Sequence, residues 1–427
     1  MKQASISYTT IIIDSNYRKL IFSKMIDRFG DSVDVIAFTW LIYQITHSAM
    51  WSALIFAFNM LPNVIVQPFA GALVEKRNKK KVIIAAYMIR AVVITLFVTL
   101  YMLGGVNAPI MAVLTLIITT IESFSLPASS AFTAQVIKKE HLTSGMSLSK
   151  VLTNSASLVG TGIAGVIISL WGVVPAMIID ISTFIIASIL ILLMNTKEIT
   201  HNRTDTDTNS PSEKFITLFT DGMKYVTKTP MVKNFCILCV ALNFMLVPIN
   251  ALQAPIAEEI FKMGSELLSF GGVFASLGGI VGAALLPLFA RKFSALQSVC
   301  IGTGIEGIGL FGIAMGGIVS GEAILCYIDV SACFFAMMLA ATLIGGIIGI
   351  QFMKTVDLEY MARASAVFNA FSTAAMPIGS LLVSLFVSHT STKNIMLFGV
   401  IFAVIVLFVI LVSRPSLEKG EEIVDAA

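Results

Sequence analysis

Charge is scarce in this 427-residue sequence: Asp, Glu, Lys and Arg together supply 12 % of it, about half the share of a soluble domain. A chain so poor in charge, and 57 % hydrophobic, cannot cover a water-facing surface. No G-x-x-x-x-G-K-[ST] loop occurs, so no nucleotide-driven engine is encoded. No sizeable soluble domain stands out to host an active site, and an enzyme is not expected. The first residues lack a short apolar core followed by a small-residue cleavage site, so no signal peptide is expected. The four histidines (His47, His141, His201, His389) fall in or beside expected loops, which argues against a histidine proton relay. No metal-ligand cluster is visible, and no cofactor or nucleic-acid partner is expected. The five cysteines fall within apolar runs. Cys236-x-x-Cys239 has a redox spacing, but in an apolar helix such residues usually serve as small packing groups.

What is abundant is apolar length. Runs of about 20 residues, the span of a bilayer's hydrocarbon core, recur along the whole chain. Lipid obliges the backbone to satisfy its own hydrogen bonds, so the runs are helices or a closed barrel. Their continuity, without alternation, excludes the barrel. Turn and charge signals place twelve spans at 18–46, 50–74, 81–103, 108–130, 146–170, 173–194, 232–256, 266–289, 297–317, 322–350, 362–387 and 394–413. The expectation is an all-α membrane protein of two six-helix halves, 1–194 and 232–413. A polar linker over 195–231 joins them, and a tail over 414–427 follows.

Lys and Arg collect on one side of this layout. Lys76, Arg77, Lys79, Lys80 and Lys81 follow span two, and Arg18, Lys19, Lys138, Lys139, Lys150, Arg291, Lys292, Lys354, Arg363 and Arg414 fall on the same side. The opposite connections hold only Lys262 and Lys393. Such asymmetry places both termini and the linker in the cytoplasm of a multi-pass protein in a bacterial-type cytoplasmic membrane. A shift of 219 residues brings Glu140 onto Glu359, Gly145 onto Ala364, Gly160 onto Gly379 and Pro68 onto Pro287. A six-plus-six repeat of this kind is a secondary-transporter architecture.

The stretch G-A-L-V-E-K-R-N-K-K, from Gly71, resembles the G-x-x-x-D-[RK]-x-G-[RK]-[RK] signature of the major facilitator superfamily. Gly71, Lys76, Lys79 and Lys80 match, Glu75 replaces the usual Asp, and Asn78 the usual Gly. The resemblance implies a cytoplasmic gate, in which the acid pairs with a cation or a helix terminus. In span five, L-V-G-T-G-I-A-G, with Gly160, Gly162 and Gly165, resembles the G-P-x-x-G-G element of the superfamily's antiporters: Gly160 and Gly165 match, while Thr161 stands where the Pro would be and Ala164 where a Gly would be. Small residues there also permit tight helix packing on their own account. The stretches S-L-P-A-S-S-A-F-T-A-Q-V-I-K-K-E-H-L and R-F-G-D-S-V-D resemble the macrolide-efflux-type branch, which includes drug and siderophore exporters. One departure counts: span four carries Glu122 where many proton-coupled exporters carry an Arg.

Span one holds Lys24, Asp27, Asp31 and Asp34 at spacings of 3, 4 and 3, a single helical stripe. Charged groups at such depth cost at least ~2.5 kcal/mol each, so they face protein or water. Arg28 sits at i−3 from Asp31 and can bond it. Two roles compete. Lys24 and Arg28 could neutralise Asp27 and Asp31 as a structural anchor, or a carboxylate in an apolar cavity could exchange protons. Asp27 fits the first, Asp34 the second because its own helix offers no cation, and Asp31 fits both equally. Arg90 on span three is the expected partner of a span-one carboxylate or of Glu122. Glu306 lies mid-span among glycines. Asp180 and Asp329 lie about two turns from helix ends, where a solvated position is the simpler reading. Asn59, Asn63 and Gln67 form a polar stripe beside Pro62, and Asn243, Asn250 and Gln253 surround Pro248. These groups could line a substrate cavity or bond between helices.

The sequence therefore predicts a proton-coupled secondary transporter working by alternating access. Its partners would be an amphipathic small molecule such as a drug, protons and the lipid bilayer, with the chain acting as a monomer. Efflux is the favoured direction. Lysolipid or lipid translocation, siderophore export and proton-symport import are the alternatives, with a non-transporting receptor as a distant one.

Overall fold

The computed structural model describes residues 14–75, 77–137, 141–195, 211–357 and 359–417. Among them every regular element is helical: α1 Ser15–Thr46, α2 Ala49–Ile65, α3 Gln67–Glu75, α4 Lys79–Met102, α5 Ala108–Val136, α6 Leu142–Trp171, α7 Val173–Leu192, α8 Pro211–Lys228, α9 Pro230–Met245, α10 Ser265–Lys292, α11 Ala295–Met315, α12 Ala323–Thr355, α13 Met361–Val387 and α14 Thr392–Ser413. Nine of these are long and apolar enough to cross a membrane, ten when the bent pair α2–α3 counts as one span. Two expected spans fall outside that criterion for visible reasons. The charged stripe of α1 dilutes its apolarity. The seventh span is interrupted: α9 stops after 16 residues, and short helical turns at Val247–Ala251 and Gln253–Pro255 and a π-helical turn at Ile256–Ile260 follow. Pro248 removes a backbone donor at that break.

The helices fall into two compact units. One holds α1 to α7 together with Gly264–Val273; the other holds Pro211–Met263 and the chain from Phe274 onward. The first unit is organised around α1. Asp14 caps its start by accepting from the N–H groups of Asn16 and Tyr17, which satisfies donors that helix geometry leaves free. Tyr17 donates to the Gly145 carbonyl at 2.7 Å, Ser23 to the Ala187 carbonyl at 2.9 Å and Lys19 to the Leu193 carbonyl at 2.9 Å. These bonds hold α1 against α6 and α7.

Two glycines let α1 come that close. A Cβ on Gly30 would collide with the Thr183 hydroxyl of α7 and stand 2.7 Å from Asp180 Oδ1. One on Gly160 of α6 would stand 2.6 Å from the Phe29 carbonyl oxygen of α1. In the second unit Gly379 of α13 faces Val247 and Phe244 in the same way, Val247 at 2.7 Å from such a Cβ. Gly160 and Gly379, which the 219-residue shift aligns, each sit at a close helix contact, against backbone in the first unit and against side chains in the second.

The linker expected over 195–231 contains a helix. Apolar side chains of α8, among them Phe219, Met223 and Val226, recur at helical spacing and join the core of the second unit. Tyr225 stacks on Tyr360 at 4.6 Å and donates to Asp357 at 3.1 Å, and Arg363 pairs with Asp221 at 3.9 Å. The polar part of the linker, 196–210, and the tail from 418 lie outside the described residues.

Candidate functional site

The close packing of α1 carries its acidic stripe into the middle of the first unit. Asp27 and Asp34 are buried, and Asp31 is partly buried. Arg90 of α4 meets them: its guanidinium lies 2.7 Å from Asp31 and 4.0 Å from Asp27. Arg28 reaches Asp31 from the same helix at 3.4 Å. The Arg90 guanidinium also stacks 4.2 Å above the ring of Phe184 on α7, a position in which the ring's negative face attracts the cation. Glu122 of α5 is partly buried, and its charge acts on Arg90 along with those of Asp31, Asp27 and Asp180.

Asp180 is the residue the sequence misplaces. A solvated helix end is expected there, yet Asp180 has no exposure at all. It sits on α7 one turn before Phe184, facing α1 at Gly30, with Asp34 and Arg90 among its charged neighbours. Thr183 donates to the Asp180 backbone carbonyl at 2.7 Å and lies 3.4 Å from its Oδ1. Distance from the helix end is readable in a sequence; the face that a lone carboxylate takes is not. The spacing of Asp180 and Phe184 at i and i+4 was the available signal.

The site therefore brings together five carboxyl groups, Asp27, Asp31, Asp34, Glu122 and Asp180, with two guanidinium groups, Arg28 and Arg90. Asp27 Oδ1, Asp34 Oδ1, Asp180 Oδ2 and Arg90 Nε are buried without a hydrogen-bond partner among the described residues. Asp34 has no ion pair among them, so the arginine expected for it is committed to its neighbours. Lys24 makes no ion pair with Asp27 among the described residues and donates to Thr133 Oγ1 at 3.1 Å, while Arg90 stands 4.0 Å from Asp27.

The other expected residues lie apart from this cluster. Glu306 of α11 is fully buried in the second unit, with neither carboxyl oxygen bonded among the described residues. Asn63 accepts from Ser123 at 3.1 Å, joining α2 to α5, while Asn59 and Gln67 are partly buried. Asn243 and Asn250 turn back on their own backbone, donating to Cys239 O at 2.9 Å and Leu246 O at 2.8 Å. In the gate motif, Lys79 donates to the Glu75 backbone carbonyl. Lys80 donates to the carbonyls of Leu192 at 2.9 Å and Met194 at 2.7 Å, capping the end of α7. The latch onto a helix terminus is thus made by Lys80, and the exposed Glu75 carboxylate has no ion pair among the described residues. A methyl group placed on Gly71 would stand 4.0 Å from Pro127, an ordinary contact, and Lys76 lies outside the described residues. Of the span-five glycines, Gly160 meets α1, a Cβ placed on Gly162 would stand 3.0 Å from Val273, and the Gly165 N–H donates to Ser269 at 2.6 Å. No group of three or more metal-ligating side chains occurs among the described residues.

The family profile described as Major Facilitator Superfamily matches residues 20–380. The chain belongs to the Major Facilitator Superfamily. Membership makes it a multi-pass membrane transporter of small molecules. It is similar to macrolide efflux protein A of Streptococcus pyogenes, 24 % identical over 363 residues, covering 84 % of this chain and 86 % of that protein. It is 25 % identical to macrolide efflux protein A of Enterococcus faecalis over 337 residues, 77 % of this chain and 100 % of that one. Among solved structures, the nucleoside transporter NupG shares the fold with a TM-score of 0.75 at 11 % identity, over 93 % of this chain and 99 % of that one.

Proposed function

We propose that this transporter exports amphipathic small molecules, drugs such as macrolides among them, in exchange for protons by alternating access. The observation that supports the reading is the charge imbalance of the cluster: five carboxyl groups face two guanidinium groups, and several buried carboxyl oxygens have no partner among the described residues. An unpaired charge of this kind is costly in a membrane helix and is retained for function. Asp34 carries the exchanged proton in this reading, with Asp31 sharing the role through Arg90. A proton arriving on Asp31 weakens its bond to Arg90 and frees the guanidinium for Asp34 or Asp180. The surplus of acid also favours a substrate that bears a positive charge. The names of the two macrolide efflux relatives agree with the direction and the substrate class. Both termini are placed in the cytoplasm by the Lys and Arg distribution, and the chain acts as a monomer in the cytoplasmic membrane.

Inverted membrane vesicles with an imposed proton gradient test the proposal. Uptake of a fluorescent cationic drug should follow the gradient in the parent and collapse in Asp34→Asn. Equal rates with unchanged gradient dependence would remove Asp34 from coupling.

A further inference from the structure

The second unit contains an apolar crevice of about 600 Å³ that the acidic cluster does not explain. Its walls come from α8, α9, α13 and α14, with Met223, Val226, Val240, Phe371 and Phe402 among the lining residues. Two of the lining residues, Phe244 and Phe402, meet with ring centroids 5.5 Å apart, and on the same helix Asn234 donates to the Ser416 carbonyl at 3.5 Å. Ten residues of α9 separate those contacts, roughly 15 Å at the helical rise. α1 and α7, the repeat-related pair in the first unit, instead pack tightly, with Ser23 bonded to the Ala187 carbonyl.

One lining residue is charged. Lys233, in the first turn of α9, is exposed and belongs to the lining. Lys224 and Lys228 lie on the neighbouring α8, where Lys224 is partly offset by Asp221 at 3.9 Å. No carboxylate lines the walls among the described residues. An apolar crevice with a lysine in its lining and no acid beside it among those residues suits an anionic amphiphile better than a cationic one. It is opposite in charge to the cluster of the first unit. The amphipathic α8 is also the kind of element that lies among lipid headgroups.

We propose that this crevice holds an acyl chain of an anionic phospholipid whose phosphate rests on Lys233. The lipid belongs to the leaflet that α8 borders, and its binding does not depend on the export reading.

The test uses the full-length transporter reconstituted in vesicles of phosphatidylglycerol and phosphatidylcholine. A phosphatidylglycerol carrying a photoreactive group on its acyl chain is the probe, and labelled peptides are mapped by mass spectrometry. Label should concentrate on the peptides that contain Met223 to Phe244, Phe371 and Phe402. Lys233→Gln should lower it about fivefold, the contribution of one cation near the headgroups. Val240→Trp, which fills the slot, should abolish it while label elsewhere on the chain persists. Excess unlabelled phosphatidylglycerol should compete, and inorganic phosphate should not. Equal labelling by a phosphatidylcholine probe, together with no effect of Lys233→Gln, would overturn the proposal. So would displacement of the probe by a cationic drug in preference to phosphatidylglycerol, which would make the crevice a substrate site.

Discussion

Replacing Arg90 by Gln should be among the most damaging single changes in the chain. The Arg90 and Asp31 side chains are only 5 % and 12 % exposed and meet at 2.7 Å. Removing one partner of a buried pair leaves the other charged and unsolvated, at a cost of about 3–5 kcal/mol. Asp31→Asn should cost less, about 1–3 kcal/mol, because Arg90 keeps Asp27 at 4.0 Å and the Phe184 ring. In the double variant Arg90→Gln/Asp31→Asn the stranded charge is gone. The double-mutant cycle should therefore return a coupling of at least ~2 kcal/mol, towards the upper end for residues in contact. The assay is reversible unfolding of the purified protein in mixed micelles against increasing dodecyl sulfate, followed by circular dichroism. Additivity within ~0.5 kcal/mol, as found for distant sites, would refute the claim that the two side chains form a buried pair.

Three further outcomes follow from the same geometry. Gly30→Ala should destabilise by about 1–3 kcal/mol, the usual cost of overpacking, since the new methyl meets Thr183 and Asp180; an unchanged unfolding midpoint would contradict the close α1–α7 approach. Asp180→Asn should express and fold as the parent does yet transport as poorly as Asp34→Asn in inverted vesicles, and parental transport would return Asp180 to a structural role. Glu306→Gln should leave the unfolding midpoint within ~1 kcal/mol of the parent, because no partner is lost. A larger drop would reveal an ion pair or hydrogen bond at that position. The same buried carboxyl should be labelled by a lipophilic carbodiimide in the parent and not in Glu306→Gln.

The helical architecture was legible because lipid leaves a chain few choices: length and continuity of the apolar runs suffice to place helices. The acidic stripe of α1 was legible for a related reason, since three carboxyl groups at helical spacing must share a face. Arg90 could be proposed as their partner because cations are so rare within the spans. Asp180 could not be assigned, since its neighbours are set by the rotation of α7 against α1, and that rotation depends on Gly30 and Thr183. Lys24 misled for the same reason, since adjacency on a helix suggests a pair that Thr133 captures instead. The helix at Pro211–Lys228 was hidden by the polar run before it, although its own apolar residues keep a helical period.

The clasp around α1 bears on tempo. With the Phe29 carbonyl against Gly160 and Gly30 against α7, the helix that carries three of the acids has no room to roll or slide inside its own unit. What remains free to move is a side chain. Rotamer changes occur in about nanoseconds or less where they are unhindered, whereas helix shifts take microseconds to milliseconds. Arg90, held by Asp31 at 2.7 Å and by the Phe184 ring, exchanges partners more slowly than an exposed side chain but without a movement of α1. Changes of partner within the cluster are therefore side-chain events, distinct from the larger and slower movements of a transport cycle.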